Sequence, residues 1–253
     1  MDMNGGWVLS IDIAKFFDTI DHAKLRKLVE QRVRDGVILR LIGKWLNAGV
    51  CEKGQIHYPE DGSPQGGVVS PLLSNIYLHY ILDQWFEMDV KPRLKGCANL
   101  VRFADDALIV FASKEDAARV MEVLPKRFAK YGLTIHPSKT HLVEFNRPRV
   151  KPGELRQDRR PGTFNFLGFT HYWGSTRKGG WAVKRKTARD RLSRGIKKIA
   201  EWCSQNLHKP LKDQHVILSA KVRGHFNYYG IPGNSWSLGE FRYRVERVWR
   251  EWL

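Results

Sequence analysis

The stretch LVRFADDALIVFA, residues 100–112, constrains this chain more than any other. Two apolar arms flank an adjacent carboxylate pair, Asp105 and Asp106, which is the pattern of a β-hairpin with an acidic tip. A related feature lies upstream. VLSIDI, residues 8–13, reads as a short apolar strand ending near Asp12. Carboxylates at the ends of apolar strands are costly to bury together unless something neutralises them. Whatever fold forms must answer that cost.

Around these strands the pattern alternates with helices. Asp21 can cap a helix with Leu25, Leu28 and Val29 among its apolar positions, and Asp35 a second through Leu41, Ile42, Trp45 and Leu46. GSPQGGVVSPLLSNIYL, residues 62–78, passes from a turn into an apolar helix, with Ser70 as cap and Pro71 at the first helical position. Ser113 and Asp116 open another helix with Ala117, Met121, Leu124 and Phe128 on one face, Pro125 as a residue that can kink it and Tyr131-Gly132 at its end. LVEF (142–145) and TFNFLGF (163–169) read as strands. NRPRVKPGELRQDRRPG between them is rich in Pro, Gly and charge and reads as a surface loop. From about residue 184 the texture becomes helical. Leu192, Ile196, Ile199 and Cys203 follow helical spacing, a middle helix covers 211–229, and Phe241, Val245, Val248 and Trp252 form a last apolar face opposite Arg242, Arg244, Arg247 and Arg250. The expectation is an α+β domain over 1–170 followed by a basic helical domain over 171–253.

Charge narrows the partners. The formal net charge is +17 and the pI about 9.9, the range of nucleic-acid binders. Residues 1–146 hold 19 Lys and Arg against 18 Asp and Glu, whereas residues 147–253 hold 24 against 8. A polyanion partner for the C-terminal part follows, with an anionic membrane the weaker rival because no strongly apolar helix face accompanies the charge. No run approaches the roughly 18 consecutive apolar residues of a membrane span. The N-terminus lacks the pattern of a secretory signal, and Cys51, Cys97 and Cys203 form neither a disulfide framework nor a zinc pattern. A reducing, cytoplasmic setting is expected.

Taken one at a time, Asp105-Asp106 reads as a turn pair and Asp12 as a cap. Together, ahead of a basic region, they read as a site for divalent metal, and oxygen ligands of this kind suit magnesium. Two such ions about 4 Å apart can activate one oxygen and stabilise another in phosphoryl transfer. Neighbouring strand residues point to opposite faces, so Asp105 and Asp106 contribute unequally, with the larger metal role expected for Asp105.

IDIAKFFDTIDH around Asp12, GSPQGGVVSPLLSNIYL, VRFADDALIVF, GLTIHPSKT and FNFLGF occur in the order found in reverse transcriptases. The chain resembles the palm and thumb of a group II intron reverse transcriptase, or maturase, and LKDQHVILSAKVRGHFNYYGIPGN resembles that family's maturase-specific thumb. The resemblance implies a polymerase palm with an antiparallel sheet and packed helices, followed by a helical thumb. It implies RNA-directed DNA polymerase activity with two Mg²⁺ ions held by Asp12, Asp105 and Asp106. Phe17 matches the bulky residue that excludes a nucleotide 2′-OH, although core packing is its ordinary reading. Pro64, Gln65 and Gly66 match the segment that contacts the incoming nucleotide and template. Lys139 matches a basic residue that assists pyrophosphate release, and reads equally well as a solvated loop lysine.

Lys184, Arg185, Lys186, Arg189, Arg194, Lys197, Lys221 and Arg223 are expected to grip nucleic acid. Implied partners are an RNA template–primer duplex, group II intron RNA and deoxynucleotide triphosphates, with no membrane. The chain departs from the family in having Phe103 where many relatives have Tyr. By the same resemblance it is expected to start at the first catalytic strand, without a fingers region, and to stop before any DNA-binding or endonuclease region. A separate chain supplying the fingers is one expectation. An RNA-binding maturase fragment with weak or no polymerase activity is the alternative.

Overall fold

Trp7–Ile11 (β1) is the apolar centre of the first sheet, with Leu9 and Ile11 in the core. The computed structural model describes residues 6–47, 50–52, 55–57, 69–155 and 160–253. After Asp12 the chain continues as Ile13–Ala14 (β2), then turns through Lys15, whose φ of 47° is left-handed, into a short 3₁₀ turn at Phe16–Asp18. His22–Glu30 (α1) is capped by the Asp21 carboxylate, which accepts the Lys24 N–H at 2.9 Å. Gly36–Leu46 (α2) is capped by Asp35, which accepts from Val37 and Ile38. Its inward residues are Ile42 and Leu46. Leu41 and Trp45, expected on the same apolar face, are instead 41% and 45% exposed, along with Val37 and Ile38.

Val50–Glu52 (β3) and Gln55–His57 (β4) form a small antiparallel pair. Ser70–Leu78 (α3) has Pro in its first turn as expected, but Ser70 is the first helical residue rather than the cap; Val69 precedes it. The helix then widens into π winding over His79–Gln84 and Phe86–Val90. Ala98–Phe103 (β5) and Asp106–Phe111 (β6) make the expected hairpin. Lys114–Ala129 (α4) is capped by Ser113 and runs through Pro125. Val120 is buried on its inner face, while Met121 is 38% exposed. Thr134–Ile135 (β7) pairs with β2, and His141–Glu144 (β8) with β1. The main sheet has the order β5-β6-β1-β8, antiparallel throughout. Tyr77, Ile81, Leu82, Phe86, Leu124 and Phe128 pack with Leu9, Ile109 and Phe111 in one core.

Contacts divide the chain into two compact units, 1–146 and 147–253. This boundary lies ahead of residue 170, because the strands that follow the loop pair among themselves. Phe164–Phe166 (β9), Phe169–Ser175 (β10) and Trp181–Thr187 (β11) form an antiparallel sheet in the order β11-β10-β9. TFNFLGF is thus two strands rather than one. Phe166 pairs with Phe169 across Leu167 and Gly168, whose φ values of 49° and 78° give the doubly left-handed turn that suits a two-residue hairpin.

Arg189–Asn206 (α5), Leu211–Tyr229 (α6) and Ser235–Glu251 (α7) complete the second unit. Phe241 is its central knob. The ring lies so close to Gly195 of α5 that a Cβ there would meet it at 3.1 Å, and it stacks on His225 of α6 at 3.6 Å. Trp252 falls beyond α7 and is exposed, so it does not extend the buried face of Phe241 and Val245.

Candidate active site

The sheet register brings the acidic residues to one end. β1 and β6 pair with Ile11 opposite Ala107, and β5 and β6 with Phe103 opposite Asp106. One further step along β1 places Asp12 level with Asp106, beside the hairpin tip. The backbone of Asp12 is fixed on both sides. Its N–H donates to Thr140 Oγ1 at 3.1 Å, and its carbonyl accepts the His136 N–H at 2.8 Å. Its side chain is freer: Lys139 Nζ lies 3.5 Å from Asp12 Oδ1, with the lysine 60% exposed. Such a surface pair contributes only about 0–1 kcal/mol. Lys139 and Asp12 are therefore brought together, but loosely enough for a stronger cation to take the carboxylate.

Asp105 lies in the two-residue turn, half-buried, and Asp106 is the exposed first residue of β6. The turn is strained at Ala104, where φ is 53°; a non-glycine residue in this region costs about 1–2 kcal/mol. Arg102 offsets that strain. Its Nη1 donates to the Ala104 carbonyl at 2.8 Å and to Asn75 Oδ1 at 2.9 Å, while Nε and Nη2 fork onto the two oxygens of Asp83 at 2.7 and 2.6 Å. Arg102 is not among the residues expected at the site, although a lone cation inside an apolar strand signals that a partner must exist.

Phe17 sits on the 3₁₀ turn beyond Asp12, half-buried, tilted on Phe16 with ring centroids 5.4 Å apart. It packs against the core edge as its ordinary reading requires. Pro64, Gln65 and Gly66 lie outside the described residues.

The donor set fits a hard divalent cation in kind. Asp12 and the hairpin carboxylates offer oxygen only, and magnesium is commonly held by one or two carboxylates with waters and substrate phosphates completing its shell. Among the described residues, no three His, Cys, Asp or Glu side chains form an all-protein metal cage.

The basic residues separate by element. Lys184, Arg185 and Lys186 are on β11, a strand rather than the helix expected there. Lys184 stands opposite Tyr172 and Lys186 opposite Thr170, so they share one face; Arg185 stands opposite His171 on the other. Lys186 Nζ lies over the Tyr172 ring at 5.3 Å. Arg189, Arg194 and Lys197 are exposed on α5, where Arg194 pairs with Asp190 and Lys197 approaches Glu201. Lys221 and Arg223 are exposed on α6. On α7, Arg242, Arg244 and Arg247 each bond a glutamate one turn away, so much of that arginine face is neutralised internally.

Comparison with known proteins decides the family. The profile described as "Reverse transcriptase (RNA-dependent DNA polymerase)" matches residues 3–171, two-thirds of the chain. The chain belongs to the reverse transcriptase family. It is 28% identical to the group II intron-encoded protein LtrA of Lactococcus lactis subsp. cremoris, over 95% of this chain and 51% of that protein. It is 43% identical to an uncharacterized 91 kDa protein in the cob intron of Schizosaccharomyces pombe, over 94% of this chain and 36% of that one. This reverse transcriptase chain thus spans about half or less of the length of these relatives. Among solved structures it resembles the apo telomerase of Candida tropicalis, with a TM-score of 0.55 and 13% identity, over 99% of this chain and 42% of that one. That likeness concerns the fold, a polymerase palm and thumb. Among the described residues no helix is long and apolar enough to cross a membrane.

Proposed function

We propose that this chain is the palm and thumb portion of an RNA-directed DNA polymerase of group II intron type, adding deoxynucleotides to a primer on an RNA template and binding intron RNA. The observation that carries the reading is the register that sets Asp12 level with the Asp105-Asp106 tip, in a chain matched by the reverse transcriptase profile. Asp12 and Asp105 would hold two magnesium ions, with Asp106 beside them; the ions, when bound, supply the charge that activates a primer hydroxyl and stabilises departing pyrophosphate. The fixed backbone of Asp12 and the clamped turn at Ala104 set where these carboxylates stand. Lys139, already within reach of Asp12, would offer a cation to the leaving phosphates. Phe17, five residues on, would present a bulky edge where a ribose 2′-OH would have to fit, the group that distinguishes RNA from DNA precursors. Pro64, Gln65 and Gly66 would contact the incoming nucleotide.

Nucleic acid would be held by the second unit through phosphates and A-form shape rather than base sequence. Lys184 and Lys186 on β11, Arg189, Arg194 and Lys197 on α5, and Lys221 and Arg223 on α6 supply the charge. The excess of 24 cations over 8 anions in residues 147–253 favours a second reading, an RNA-binding maturase piece with little polymerase activity. Primer extension on an RNA template separates the two. The polymerase reading expects magnesium-dependent extension that falls about a hundredfold or more in Asp105→Ala, the loss of several kcal/mol of charge stabilisation. Equal extension by both proteins would remove Asp105 from the site. RNA binding without extension by the wild type would favour the maturase reading.

A further inference from the structure

We propose that Arg102 is a positioning residue for the acidic hairpin tip, and that Asp83 and Asn75 on the neighbouring helix set its aim. Four N–H groups of one guanidinium are engaged in a single arrangement. Two hold both oxygens of Asp83, one holds Asn75 Oδ1, and one holds the carbonyl of Ala104. The side chain is only 13% exposed, so these bonds work at reduced solvent screening. Arg102 lies opposite Ala107, while the adjacent pair is Phe103 and Asp106. By strand alternation Arg102 therefore points to the face away from the Asp106 side chain and reaches the turn from behind. It does not compete with the carboxylates for a ligand. It holds the peptide that immediately precedes Asp105.

The helix is shaped for this task. Asn75 lies in α3, and Asp83 lies in the π-wound segment His79–Gln84 that continues it. In a regular α-helix, residues eight apart are rotated about 80° from one another around the axis. The wider π winding, with its i to i+5 repeat, takes back part of that rotation. Asn75 and Asp83 can then both face one guanidinium. His79 stands between them, its Nδ1 3.5 Å from Asp83 Oδ2.

Because the bidentate Asp83 contact balances the arginine's charge, the role is geometric rather than electrostatic. Lysine would supply the same charge but not a planar fork with fixed donor directions. Arg102→Lys should therefore behave like Arg102→Gln. The Asp83→Asn substitution should act through the same clamp, so its combination with Arg102→Lys should cost little more than either alone.

This inference rests on the reading of Asp105 and Asp106 as polymerase carboxylates, and the test uses two readouts so that the two can fail separately. In primer extension by the full chain, Arg102→Lys is expected to lower kcat about a hundredfold, the scale of an ångström-sized misplacement, and to raise the magnesium concentration needed for half-maximal rate, with KM for the nucleotide little changed. Asp116→Asn, which loosens a buried contact at the opposite end of the hairpin, is the control and should shift neither parameter once folded. In hydrogen exchange without ligands, Arg102→Lys should speed exchange over residues 103–107 about tenfold relative to β8. If the wild type extends no primer, the exchange result still decides the positioning role. Wild-type exchange at 103–107 in Arg102→Lys, or undiminished kcat and magnesium response, would overturn it.

Discussion

Residues 1–146 carry near-balanced charge over a broad core of large side chains, whereas residues 147–253 carry a large cationic excess over a core of Ile199, Cys203, Leu218, Phe241 and Val245. The first unit concentrates polar interactions at particular points. Thr140 and His136 fix Asp12, and Asp83 fixes Arg102. Asp116 closes the other end of the hairpin, where its Oδ2 accepts the N–H groups of Lys95 and Gly96 at 3.0 and 2.8 Å and its Oδ1 meets Arg119. The second unit spreads its charge along exposed strand and helix faces. On the proposed reading, the first unit positions reactive carboxylates and needs stiffness at a few atoms, while the second would hold a phosphate backbone and needs charge over an area.

The contrast can be broken first through the smaller core. Phe241→Ala removes the ring packed against Gly195 and His225 and should destabilise the second unit by about 4 kcal/mol. Denaturation followed by unit-resolved hydrogen exchange should show the second unit opening at lower denaturant while the first keeps its midpoint. A matched shift in both would mean that the two fold as one.

Acid should separate the units with a smaller effect. Burial pushes the imidazoles of His171 and His225 below their ordinary 6.5, with Arg185 adding to the effect at His171. His171 Nδ1 and His225 Nε2 are buried and have no partner among the described residues. Both groups are depressed in the folded state, so the stability they allow is complete above 6.5 and falls as pH drops through their lower folded values. Asp116 behaves in the same sense at lower pH. Burial alone would raise its carboxyl, but the backbone bonds from Gly96 and Lys95 and the Arg119 guanidinium outweigh this and hold it below 3.8. Its contribution is complete above 3.8 and lost below. The second unit should therefore loosen first on acidification, starting near pH 6, and an acid titration read by unit-specific exchange would show the order. First-unit loss at pH 6 would contradict it.

A still smaller effect is expected from the charged strand. Lys184→Ala with Lys186→Ala should weaken binding to an RNA–DNA duplex by about 1–2 kcal/mol and flatten its salt dependence by about one unit of slope per lost phosphate contact. An unchanged salt slope would assign the binding to the helices instead.

Much of this arrangement is legible in the sequence where local chemistry decides it. Asp21, Asp35 and Ser113 cap the helices they were expected to cap, the acidic hairpin forms around Ala104 and Asp105, and the middle basic helix runs over Leu211–Tyr229. What escapes is set by tertiary context. WAVKRKT carries too much charge to announce β11, which forms because β10 lies alongside it. Leu41 and Trp45 are apolar at helical spacing, yet α2 turns Ile42 and Leu46 inward. The clamp on Arg102 depends on π winding, for which residues 79–90 give no local sign.

On the proposed reading, chemistry belongs to the acidic tip and holding to the basic unit. Its most direct test is a single-turnover incorporation assay on an RNA template, with duplex affinity measured on the same samples of wild type and Asp12→Ala. The account predicts unchanged affinity with incorporation reduced about a hundredfold or more. Incorporation at the wild-type rate, or a loss explained wholly by weaker duplex binding, would contradict it.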